Sequence, residues 1–290
     1  SLNFWGDASL GSVLDQVKST MLVTVWVFIG IEGASVYSAR ARKREDVGRA
    51  TVIGFLICLL LLMSVSLLSL GVFSQPTLAG LKNPSMAGVL ENAVGTWGAV
   101  LIYVGLIVSV GGGFLAWMLL AAESLFSPAG GGVMPKWLGQ TNEKHVPANA
   151  LWLTNGMVQL FLILTLFSKA SYLALISLST AMILLPYLFS VAYGLLLAWR
   201  GEGVKAAIQR ADVPIAALAT AYCVWLLYAA GFKYLLLSAL LYVPGVVLYA
   251  WAKRQRQERM FTPWEWAILA ALMVLAGVAA TLLIMGRLGL

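Results

Sequence analysis

Thr24-Val25-Trp26-Val27-Phe28-Ile29-Gly30-Ile31-Glu32-Gly33-Ala34-Ser35 sets two glycines and one acid into an otherwise apolar segment. It sits inside an apolar run, residues 19–39, of just over twenty residues with one charged side chain, Glu32. At about 1.5 Å per residue, that run can cross the hydrocarbon core of a bilayer. A carboxylate inside such a span costs roughly 2.5–3.5 kcal/mol unless it faces a wet cavity or a partner. Gly30 and Gly33 flank it, and each lowers helix stability by about 1 kcal/mol relative to alanine. A spanning helix weakened by glycine beside a buried acid points to an ion or substrate site. The competing reading is a Gly–Gly helix-packing surface with Glu32 near the inner headgroups.

The whole chain has the same apolar character. It is 61% hydrophobic and 11% charged, with a mean hydropathy of +0.89, whereas soluble domains carry about 25% charged residues. This predicts an all-α polytopic membrane protein. Eleven tryptophans and ten tyrosines suit interfacial belts. The net charge of +7 resides in short loops between apolar runs, so it is no nucleic-acid signal. Cys58 and Cys223 both lie inside apolar runs, which argues against a disulfide framework. His145 is the one histidine, so no metal site is expected.

Eight spans are expected, at about 19–39, 50–73, 97–125, 149–167, 171–199, 213–230, 234–252 and 264–285. Residues 1–18 form an extracytoplasmic lead-in without a basic n-region, so they are not a secretory signal. The sequence reads as starting within a longer protein. Asn83-Pro84-Ser85 can start a short helix on the membrane surface. The third span carries Gly111-Gly112-Gly113, and Pro186 should kink or loosen the fifth. The very short Ser168-Lys169-Ala170 connection makes spans four and five a hairpin. Connections 40–49, 126–148, 200–212 and 253–259 hold 14 of the 19 Lys and Arg residues. The positive-inside rule puts those loops in the cytoplasm and both termini outside.

There is no Walker A sequence, GxGxxG or GxSxG, so nucleotide-driven or hydrolytic chemistry has no support. The chemistry rests on Glu32, the backbone around Gly30, and Trp26 and Trp117 near mid-span. An indole face attracts a flat cation by about 0.5–2 kcal/mol when dry. For either tryptophan the alternative is anchoring or packing. Glu123, near the cytoplasmic end of span three, reads as a solvated helix end or a gate-side pair.

Trp26-Val27-Phe28-Ile29-Gly30-Ile31-Glu32-Gly33-Ala34-Ser35, with the basic loop that follows it through Thr51, resembles the sixth span and next loop of amino acid–polyamine–organocation transporters, above all the basic amino acid antiporters. Ala121-Ala122-Glu123-Ser124, Met134-Pro135-Lys136-Trp137, Val146-Pro147-Ala148-Asn149-Ala150-Leu151 and Leu185-Pro186-Tyr187-Leu188 fit the same family, so the resemblance covers essentially the whole chain. It implies a LeuT-like fold of two inverted five-helix repeats (5+5). Residues 19–199 would be the second repeat and 200–290 peripheral helices. The first repeat, with its glycine-rich broken helix, is not in this sequence, so the chain reads as a C-terminal portion that would need its N-terminal half.

The resemblance also assigns roles. Trp26 and Ile29 would pack on the substrate's aliphatic stem, and carbonyls freed at Ile29–Gly30 would hold its α-ammonium. Trp117 would stack on a guanidinium, and Glu32 would serve coupling or gating. The implied activity is exchange of arginine for ornithine across the inner membrane by alternating access, with no cofactor, no enzymatic step and no nucleic-acid partner. The lipid bilayer is the surroundings, and oligomerisation stays open. Two alternatives remain: a proton-coupled permease for lysine, arginine or another amine, and a non-transport membrane scaffold.

Overall fold

The computed structural model describes residues 8–38, 41–166, 172–201 and 206–288. The expected turn at 168–170 and part of the loop at 200–212 lie outside the described residues. So do residues 1–7 of the lead-in, Ala39 at the end of span one, and Arg40 at the head of the first basic loop.

Among the described residues, ten α-helices follow one another: α1 (Val13–Phe28), α2 (Gly33–Val36), α3 (Arg44–Val72), α4 (Gln75–Ala79), α5 (Ser85–Val94), α6 (Thr96–Gly131), α7 (Ala148–Leu166), α8 (Tyr172–Arg200), α9 (Ala206–Gln255) and α10 (Pro263–Ile284). Six of these are long and apolar enough to cross a membrane: α3, α6, α7, α8, α9 and α10. With that length and apolarity the chain is a multi-pass, all-α membrane protein.

The difference from eight spans has two local causes. The first span is not one helix. It starts earlier than expected, at Val13, because Ser12 and Asp15 form a reciprocal cap: Asp15 N–H donates to Ser12 Oγ, and Ser12 N–H donates to Asp15 Oδ2, both at 3.2 Å. It then stops at Phe28 and resumes briefly as α2. Expected spans six and seven follow one another within α9, which is two helices joined at Gly231, where the backbone leaves helical geometry (φ 79°, ψ 157°). That positive φ suits glycine alone without strain, so the residue between the two expected spans is where the helix bends.

Other ends shift as well. The first basic loop is shorter than expected, since α3 begins at Arg44. Span three extends to Gly131, straight through Gly111-Gly112-Gly113, so the triple glycine does not break it. Ser85 starts α5 as the Asn83-Pro84-Ser85 signal implied.

The chain forms two compact units, one of residues 1–29 with 160–290 and one of 30–159. The first has its core where Leu22 of α1 meets Ala181 and Leu184 of α8 and Leu226 and Ala230 of α9. Thr180, fully buried, shares its hydroxyl proton between the Ile176 carbonyl of its own helix at 2.9 Å and the Leu22 carbonyl at 3.1 Å, so α1 and α8 meet through a polar contact as well as by packing. Pro186 lies inside α8 and has no N–H for the carbonyl four residues back, that of Met182. Tyr242 of α9 donates its hydroxyl to that same carbonyl. The tyrosine replaces the hydrogen bond that proline removes, and it does so from another helix.

The second unit is centred on Ala122, Ala129, Leu138 and Ala150, with Phe126, Trp137 and Leu151 around them. Here Asn149 donates to the Trp137 carbonyl at 2.8 Å, fastening the start of α7 to the 3-10 turn Lys136–Gly139. Asn142 Oδ1 accepts the N–H groups of Lys144 and Val146, so the intervening loop is held by its own side chain.

Candidate functional site

Between α1 and α2 the helical ladder is interrupted. Ile29 takes an extended backbone (φ −64°, ψ 129°), its N–H reaching the Trp26 carbonyl at 3.2 Å. Gly30 follows with φ +113°, a conformation an L side chain resists. The Gly33 N–H then bonds the Gly30 carbonyl at 3.0 Å as the chain re-enters a helix. The carbonyls at the end of α1 lose their helical partners, and among the described residues no backbone N–H donates to Val27 or Ile29. Such freed carbonyls are the groups with which broken spans hold cations.

Glu32 is attached to this break. Its Oε2 accepts the Gly30 N–H at 2.7 Å, so the carboxylate closes a tight loop over the residue two positions earlier. A buried acid needs donors, and here the broken helix supplies one. Glu32 is half-buried, neither a free headgroup acid nor a fully enclosed one.

Trp117 of α6 belongs to the same compact unit. A Cβ built on Gly30 would lie 3.4 Å from Trp117 Cζ2, so the edge of the indole rests against the glycine backbone. One turn further along α6, Leu120 Cδ1 lies 3.8 Å from the equivalent position on Gly33. The face of α6 bearing Trp117 and Leu120 therefore packs along the break. Trp117 remains 46% exposed, leaving ring surface open to stack on a planar cation.

The structure thus brings Gly30, Glu32 and Trp117 together. Trp26 and Ile29 belong to the other compact unit, on the last turn and the cap of α1, where Trp26 is half-buried. Glu123 corrects the solvated-end reading: it is 6% exposed, one residue from Ala122 in the core of its unit, and it is not without partners. The sequence pointed to a charge at a helix end, but α6 continues for about two more turns past it.

Two functional details escaped the sequence reading. The bond from Gly30 to Glu32 had a local signal, a glycine two residues before an acid in an otherwise uncharged span. The Tyr242–Met182 contact had half of one: Pro186 names the orphaned carbonyl, but nothing local names its donor. Among the described residues no group of His, Cys, Asp and Glu is placed to hold a metal.

The profile of the family described as Amino acid permease matches residues 2–233. The arginine/ornithine antiporter of Pseudomonas aeruginosa is 54% identical over 96% of this chain and 60% of its own length. The L-lysine transport protein of Corynebacterium glutamicum is 40% identical over 100% of this chain and 61% of its own. A putative arginine/ornithine antiporter of Escherichia coli K12 is 40% identical over 98% and 60%. The chain spans about 60% of the length of the curated relatives it matches. No solved structure matches it. With the family profile covering most of its residues, the chain belongs to the amino acid permease family.

Proposed function

We propose that this chain supplies the substrate-binding second repeat, residues 19–199, and the peripheral helices, 200–290, of a transporter that exchanges cationic amino acids, arginine against ornithine, across the bacterial inner membrane. The observation that carries this is the break at Gly30, where a left-handed backbone is clasped by Glu32 and touched by the edge of the part-exposed Trp117 indole. The resemblance assigns the carbonyls at Ile29–Gly30 to the substrate's α-ammonium and Trp117 to its guanidinium. The resemblance, rather than any distance, assigns Trp26 and Ile29 to the aliphatic stem. Glu32 holds the break in shape and serves coupling or gating. The names of the relatives support cationic cargo and transport rather than catalysis. The basic loops face the cytoplasm and both ends of this segment lie outside, on the charge asymmetry.

A second reading, proton-coupled uptake of lysine or arginine, has specific support in the 40% identity to a lysine transport protein and in an acid at the break. Counterflow separates them. Vesicles carrying the complete transporter should take up labelled arginine only when loaded with ornithine or arginine. Equal uptake into empty vesicles under a proton gradient would favour the permease. The 290-residue chain alone should exchange nothing, and exchange by it alone would break the assignment to one repeat.

A further inference from the structure

We propose that the groove between the last two spans is a binding site for an anionic phospholipid, with one acyl chain lying between α9 and α10 and the phosphate on the basic turn at its mouth. The groove has a volume of about 300 Å³ and is lined by Tyr242, Gly245 and Tyr249 of α9, by Phe261, and by Ile268 and Leu272 of α10. From 242 to 249 the helix rises about 10 Å, so the groove runs from the end of the helix towards the bilayer centre. Both walls are helices apolar enough to be lipid-embedded, and an open apolar cleft in that position fills with hydrocarbon rather than water.

The mouth distinguishes this cleft from an ordinary lipid-facing furrow. Residues 253–259 carry Lys253, Arg254, Arg256 and Arg259 against Glu258, a net charge of +3. Glu258 is taken by Lys253 at 2.9 Å and lies 3.9 Å from Arg256. Arg254 and Arg259 are exposed and make no ion pair among the described residues. Lys253 Nζ sits 5.5 Å from the centre of the Tyr249 ring, which places the positive charge on a groove residue.

The one carboxylate in the groove, Glu265, is held by neutral donors and keeps its charge, so the turn together with Glu265 carries a net charge of +2 and the cations remain in excess. Its Oε1 accepts the Tyr249 hydroxyl at 2.5 Å, and its Oε2 accepts the Thr262 N–H at 2.6 Å. Phe261 packs edge-on to Trp266, ring centres 5.0 Å apart, and is itself buried, giving the mouth a rigid aromatic floor at headgroup level. Apolar length below and uncompensated cations above are the complement of a phosphodiester lipid with a net negative charge. The site does not depend on which amino acid is carried.

The test compares phosphatidylglycerol with phosphatidylcholine of identical chains on the detergent-purified transporter, read by native mass spectrometry. A phosphatidylglycerol bearing a mid-chain diazirine maps the adduct. The expected result is preferential retention of phosphatidylglycerol, with adducts on the peptides covering 242–249 and 268–272. Arg254→Gln, in the last turn of α9, and Arg259→Gln, in the loop after it, both exposed, should each lower the preference roughly fivefold. Nothing lies within 4 Å of a Cβ built on Gly245, so Gly245→Leu fills the groove with a better helix former and should reduce retention of both lipids. Equal retention of the two lipids by the unaltered protein, adducts confined to other helices, or cross-linked protein dimers in place of lipid adducts would each overturn the proposal.

Discussion

Gly30 holds a φ of +113°, which an L side chain resists, and the Trp117 indole lies in contact distance, 3.4 Å from where a Cβ would be. Gly30→Ala should cost about 1–3 kcal/mol in strain at the break and sharply lower exchange. Thermal unfolding in detergent and vesicle counterflow check the two effects. Glu32 admits a finer test, because its carboxylate both carries charge and accepts the Gly30 N–H. Glu32→Gln keeps an acceptor and drops the charge, whereas Glu32→Ala drops both. If the charge serves coupling, Glu32→Gln should leave calorimetric affinity within a few-fold while exchange slows more than about tenfold. Glu32→Ala should damage both. Exchange at the unaltered rate in Glu32→Gln would reduce the residue to a clasp on the backbone. The residues of this break were legible because glycine and a lone acid stand out in an apolar span. The bond between them was not, since it depends on the turn made by residues 29–32.

At the scale of elements, length and apolarity located the spans, and the misplacements came from local chemistry. The first span was expected from residue 19, yet the Ser12–Asp15 cap starts α1 at Val13, inside the lead-in. Hydrogen bonds from Ser12 hold the Asp15 carboxyl below its ordinary value. A depressed carboxylate stabilises the folded form above its unfolded pKa, about 3.9, and that contribution fades as pH falls through the lower folded value. Amide exchange over residues 13–16 should therefore speed up as pH drops below about 4, after correction for intrinsic rates. In Asp15→Asn that dependence should vanish. Expected spans six and seven have no loop between them: one residue, Gly231, leaves helical φ and ψ and the helix resumes at once. The contact between Tyr242 and the carbonyl opposite Pro186 joins residues 60 apart in sequence, so no window of sequence reveals it. Tyr242→Phe removes the donor and should destabilise the folded protein by about 0.6–1.7 kcal/mol, the range of interhelical hydrogen bonds in membranes. Denaturation in mixed micelles measures it, and an unchanged midpoint would mean the Met182 carbonyl needs no partner.

For the whole molecule, the 14 to 5 distribution of Lys and Arg predicts that a cysteine placed at 42 labels from the cytoplasm and one at 82 from outside. Labelling of both from one side would contradict the topology. Membership of the permease family was legible from a single motif because the break of its first span is written in residue types. Burial of Glu123 was not, because it follows from how far α6 extends past its expected end. The central claim is that the open indole at Gly30 reads the guanidinium of the cargo. Calorimetric titration of arginine and of ornithine into the complete transporter, before and after Trp117→Leu, tests it most directly. Arginine binding should weaken by about 1–2 kcal/mol, roughly tenfold, and ornithine, with a compact ammonium, by clearly less. Equal losses for the two substrates, or no loss for arginine, would contradict the account.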